Sequence, residues 1–201
     1  MIWGEYTTRR MLDRSAAIIS LILNPFLVLI ATILLVVGLY AKTLQEAILW
    51  SLISIVFASA LPMLLILILV RLGKLSGLHL ALKEQRIGPM FFSLGSAWVG
   101  TLLLHAIGAP KVLLVLGISY VVMGAVFTAI TLKWKISFHS GVLAACIAAL
   151  AMTVSMKLLF LVVLLPLVAW ARVYRKRHTL LQNVVAMVLA TVITVVVIQL
   201  G

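Results

Sequence analysis

Apolar residues in this chain run in blocks of about twenty, and that block length decides what the chain can become. A helix of twenty residues rises about 30 Å, the thickness of the hydrocarbon core of a bilayer. The blocks lack the apolar/polar alternation of a membrane barrel strand, and lipid offers no partner to unpaired backbone groups, so helices are the spanning elements they allow. Composition agrees. Of 201 residues, 65% are hydrophobic and 10% charged, against roughly 45–50% and 25% in a soluble domain. The expected fold is all-α: a polytopic membrane helix bundle forming one domain over 1–201.

Polar interruptions predict seven spans, at 16–40, 47–70, 90–107, 112–132, 139–154, 158–174 and 179–200. The fifth and sixth are divided by length, because a single helix over 139–174 would run about 54 Å, too long for one crossing. Residues 1–14 are polar and of mixed charge, and no small-residue cleavage site follows, so 16–40 reads as a retained span and not a signal peptide. Gly141, Ala144, Ala145, Ala148, Ala149 and Ala151 line the fifth span with small side chains. Small residues let helices approach closely in lipid, which places this span at the centre of the bundle.

Seven crossings put the N-terminus and the loops after spans two, four and six on one face. That face holds 13 of the 16 Lys and Arg residues, leaving Lys42, Lys111 and Lys157 on the other. By the positive-inside rule the basic face is cytoplasmic. The charge thus serves orientation and anionic lipid, and no nucleic-acid partner is expected. Trp134, Trp170 and Tyr174 stand beside basic residues at span ends, as interfacial anchors do. The expected location is the cell membrane.

Glu5, Asp13, Glu46 and Glu84 are the only acidic residues. Carboxylate clusters that hold magnesium diphosphates cannot be assembled from them, and the lone Cys146 rules out a thiolate site. Neither a metal nor a cofactor is expected. Histidines occur at 79, 105, 139 and 178. His105 and Cys146 read as packing or satisfied polar residues within the bundle, and His79 as an interfacial residue ahead of a phosphate contact. His139 opens the fifth span and His178 the seventh, so two crossings return both imidazoles to the basic face.

Lys135-Ile-Ser137-Phe-His139 and the spacing Arg172-x5-His178 resemble the second and third motifs of the type 2 phosphatidic acid phosphatase superfamily, P-S-G-H and S-R-x5-H-x3-D. Lys83-Glu-Gln-Arg86-Ile-Gly-Pro89 is similar to its first motif, K-x6-R-P, with His79 at the lysine position and the proline displaced. Ala171 replaces the serine of the third motif, and Gln182 its aspartate. The resemblance covers the chain from His79 onward and implies a phosphatase-like helical core. It also implies a nucleophilic His178, a His139 that protonates the leaving oxygen and later activates water, and phosphate contacts from Arg86, Ser137 and Arg172. Gln182 would take the aspartate's place in orienting the nucleophile, accepting a hydrogen bond through its amide oxygen but adding no charge.

The chemistry is consistent in itself. A metal-free phosphoryl transfer needs fixed cationic donors, which Arg86, Arg172 and Lys135 could supply, and Ser137 sits at a helix start, where backbone N–H groups favour an anion. The expected function is hydrolysis of a lipid phosphomonoester or diphosphate, such as phosphatidate, phosphatidylglycerol phosphate or a polyprenyl phosphate. A protein that binds or translocates lipid phosphates without hydrolysis is the alternative, and a bundle whose charges serve insertion alone is a third reading. With Cys146→Ala as background, Arg175→Cys should react with a membrane-impermeant maleimide only from the cytoplasmic side; modification on intact cells would reverse the orientation.

Overall fold

The computed structural model describes residues 2–75 and 84–201, with the backbone alone described at 2–9, 84 and 86. Nine α-helices make up most of it: α1 Ile2–Ile22, α2 Pro25–Tyr40, α3 Leu44–Ile55, α4 Leu61–Arg71, α5 Glu84–Ala106, α6 Lys111–Thr131, α7 Phe138–Thr153, α8 Leu164–Tyr174 and α9 Leu180–Leu200. A π-helical turn, Val56–Ala60, joins α3 to α4, and a 3-10 segment, Met156–Val163, leads into α8. Among the described residues, five stretches are long and apolar enough to cross a membrane: Leu44–Arg71, Ile87–Ala106, Lys111–Thr131, Met156–Tyr174 and Leu180–Leu200. Arg10–Ile22 and Pro25–Tyr40, bent by 43°, make a sixth if the pair is one span. The chain is a multi-pass membrane protein, all-helical over the described residues.

Local chemistry explains where the observed elements differ from the expected spans. The run 16–40 is not one helix: Asn24 ends it, its side-chain oxygen accepting from Phe26 N–H at 2.9 Å, while Pro25, which has no N–H to leave orphaned, starts α2. The stretch Leu44–Arg71 stays continuous by widening one turn ahead of Pro62, where Leu61 N–H reaches back to the carbonyl of Val56. Ser96 Oγ donates to the freed carbonyl of Phe57 at 2.6 Å. The expected boundary between the fifth and sixth spans is present, at Val154 and Ser155, with Ser155 accepting from Lys157 N–H. The fifth span is itself short, a helix of 16 residues.

That short helix is the core of the bundle. Eleven of its residues are buried, and it packs against α2, α6, α8, α9 and the 3-10 segment. It lies parallel to α9: Ser140 meets Asn183, and Cys146 shares a buried cluster with Ala186 and Ala190. Glycine makes the approach to α6 possible, since a Cβ on Gly141 would stand 2.4 Å from the Phe127 ring. Phe127, fully buried, meets Phe138 edge to face with centroids 5.2 Å apart, an arrangement worth about 1 kcal/mol beyond contact area.

The helices α5 and α6 run antiparallel, with Gly117 against Thr101 and Gly124 against Leu94. Carried on in that register, the pairing brings the first turns of α5 beside the end of α6. Gly141→Ala should destabilise the protein by about 1–3 kcal/mol through overpacking, read as a lower unfolding temperature in detergent. Adding Phe127→Leu should recover part of the loss; no recovery would place the clash elsewhere.

Candidate functional site at the paired helix starts

Three helix ends meet where α7 and α9 begin. Ser137 is the N-cap of α7 and His139 its second residue; Thr179 is the N-cap of α9, directly after His178; and Arg172 lies in the last turn of α8. Arg172 is 2% exposed and His178 7%, while Lys135, His139 and Gln182 are half-buried. An arginine enclosed in a lipid-embedded bundle is costly, and such residues generally mark functional ground.

The Arg172-x5-His178 spacing has a structural cause. Helix α8 ends in a Schellman motif: Arg177 N–H donates to the Arg172 carbonyl at 3.0 Å, and Lys176 N–H to that of Val173 at 2.9 Å. His178 N–H also reaches the Arg172 carbonyl, at 3.3 Å. The turn requires a left-handed residue, and Lys176 takes that conformation with φ +52°, at a cost of about 1 kcal/mol relative to glycine. A single carbonyl thereby ties the backbone of the arginine to that of the histidine.

Partner chemistry fixes the tautomer of His178. Gln182 and Thr179 form a capping box, in which Thr179 N–H donates to Gln182 Oε1 at 3.1 Å and Gln182 N–H to Thr179 Oγ1 at 3.2 Å. Because a backbone N–H can only donate, the amide atom facing it is oxygen. His178 Nδ1 lies 3.2 Å from the same oxygen, which can only accept, so the proton of the neutral ring is on Nδ1 and the lone pair on Nε2.

A second chain of bonds runs between the helices. Asn183 Nδ2 donates to the Thr179 carbonyl at 2.7 Å, which turns Oδ1 toward Ser140. The Ser140 hydroxyl must then donate to Asn183, at 2.7 Å. With that proton used, Ser137 is the donor in the 3.2 Å contact between the two serines. The Ser137 hydroxyl is therefore spent inside the bundle. What this residue offers an anion is its place at the helix start, where no side chain caps the first N–H groups.

Several expected residues stand elsewhere. Arg86 occupies the first turn of α5, which the α5–α6 register brings toward the same end of the bundle, and its side chain lies outside the described residues, as do His79 and Lys83. His105 is exposed in the last turn of α5 and is not a packing residue of the bundle, whereas Cys146 is buried. Ser140 and Asn183 are not part of the histidine and arginine spacings that mark this region in the sequence. A second amide directly after the capping-box Gln182 is itself a signal, since a polar group in hydrocarbon needs a partner on a neighbouring helix.

Comparison with protein-family models, curated proteins and solved structures finds no match to this chain. Asn183→Ala should leave Ser140 Oγ and the Thr179 carbonyl short of partners and cost about 1–3 kcal/mol. Chemical unfolding in micelles measures this, and a loss below about 0.5 kcal/mol would mean that water substitutes for the amide.

Proposed function

We propose that this protein is a metal-independent lipid phosphatase of the phosphatidic acid phosphatase type, acting on a phosphomonoester or diphosphate whose hydrocarbon tail stays in the membrane. The observation that carries the reading is the fixed ring of His178, buried and held through Nδ1 by Gln182, the tautomer in which Nε2 bears the lone pair of a nucleophile.

In the reaction Nε2 attacks phosphorus, the bond from phosphorus to the lipid oxygen breaks, and His139 gives that oxygen its proton. A phosphohistidine results. His139 then takes a proton from water, whose oxygen attacks phosphorus as the P–N bond breaks, releasing phosphate and restoring both rings. Arg172 and Lys135, with Arg86 from α5, balance the charge that spreads over the phosphoryl oxygens. The α7 helix start adds backbone N–H donors.

We further propose seven crossings, counting the bent α1–α2 pair and the short α7 as one each, in the cell membrane, with the N-terminus and the site facing the cytoplasm. A lipid-phosphate binding or transport protein is the second reading. It is favoured by Gln182, which holds the ring without a negative charge to stabilise imidazolium.

Purified protein in micelles should release phosphate from short-chain phosphatidate or a polyprenyl phosphate with a chelator present. His178→Ala should lower turnover by about 10³-fold or more. Release unchanged in His178→Ala would sink the mechanism, and saturable lipid-phosphate binding without release would favour the second reading.

A further inference from the structure

Below the polar cluster the bundle holds a partly open cavity of about 100 Å³, walled by α2, α3 with its π turn, α5, α6, α7 and α9. Small residues create it. Gly100 and Gly117 draw α5 against the π turn and against α6, while Ala145 and Ala149 on α7 leave the far wall low. Phe127 and Met123, buried together, stand between this space and the helix starts above it.

Among the described residues no charged side chain lines the cavity, and several of its hydroxyls are already committed. Thr32 donates to the Val28 carbonyl and Thr101 to that of Ala97, both within their own helices. Ser119 donates to Thr194 across the α6–α9 contact at 3.2 Å. The hydroxyl protons of Ser54, Tyr120 and Thr194 remain, enough to hold one water and too few to solvate an ion. For scale, an apolar cavity of about 150 Å³ holds a benzene ring. This one is sized for a few methylenes.

Depth narrows the occupant. Ala145 and Ala149 lie five and nine residues beyond Ser140, so the cavity sits about 8–14 Å along α7 from the polar cluster. Half the hydrocarbon core is about 15 Å. With the helix starts at the near interface or a few ångströms below it, the cavity is level with the region around the bilayer midplane where lipid chains end.

We propose that this cavity binds the terminal segment of a membrane-lipid hydrocarbon chain. The inference rests on the lining and the depth alone and stands whatever chemistry occurs at the helix starts. Its test uses the full-length protein in phosphatidylcholine vesicles containing a phosphatidylcholine with a diazirine at the end of one acyl chain, a lipid without a phosphomonoester.

After illumination, peptide mapping should find label on cavity-lining positions of α6 and α7, among them Tyr120 and Ala149. Ala149→Phe and Ala97→Leu, which fill the space from opposite walls, should each reduce that label roughly tenfold by excluding about two methylenes. Label on the outward-facing Val188 should not change. Wild-type label confined to outward-facing residues, or cavity label unaffected in whichever filled variant folds, would overturn the proposal.

Discussion

Hydrocarbon offers no hydrogen-bond partner, and that constraint orders the polar groups of this protein. Thr32, Thr101, Thr128, Thr131 and Thr153 each return their proton to a carbonyl of their own helix, four residues back. Ser96 supplies the carbonyl that the π turn releases. Where α7 meets α9 the same need is met between helices, through Ser137, Ser140, Asn183 and the Thr179 carbonyl. In that chain each group has one role left to it, so the bonds have a single direction and the two helix starts a single register.

Register matters because the two histidines of the proposed mechanism stand on those starts. Small residues bring the helices together, with Gly141 facing Phe127 and Ala186 and Ala190 fully buried behind it, and the amide chain fixes how far one slides along the other. On the other side of His178 the Schellman turn closes the path back to Arg172. The imidazole is thus set from two directions by main-chain geometry, and only its ring orientation is left to Gln182.

Much of this was legible in block lengths and punctuation. Apolar runs of about twenty residues announced the spanning helices, and the excess length of 139–174 required a division, which falls at Val154 and Ser155. The break at Asn24 and Pro25 was also written in the sequence, as a cap followed by a residue that tolerates the first helical position, but the apolar run around it obscured it. The π turn was marked only by Pro62, which signals a disturbed helix without saying whether the chain breaks, kinks or widens there. The histidine and arginine spacings drew attention to the proposed site. Asn183, which orders it, sits one residue past the capping box, and its partner is 43 residues away. Only the pairing of α7 with α9 shows why an amide is needed there.

The shortness of α7 carries a consequence for the membrane itself. Sixteen residues rise about 24 Å, some 6 Å less than an average hydrocarbon core. If its far end reaches the opposite interface, the helix starts that carry Ser137 and His139 are sunk below the near one. Lipid around this face must thin, or headgroups must dip, to meet it. Bilayer thickness then becomes a variable of the protein, with thinner membranes bringing phosphate groups to the level of His178 at less elastic cost.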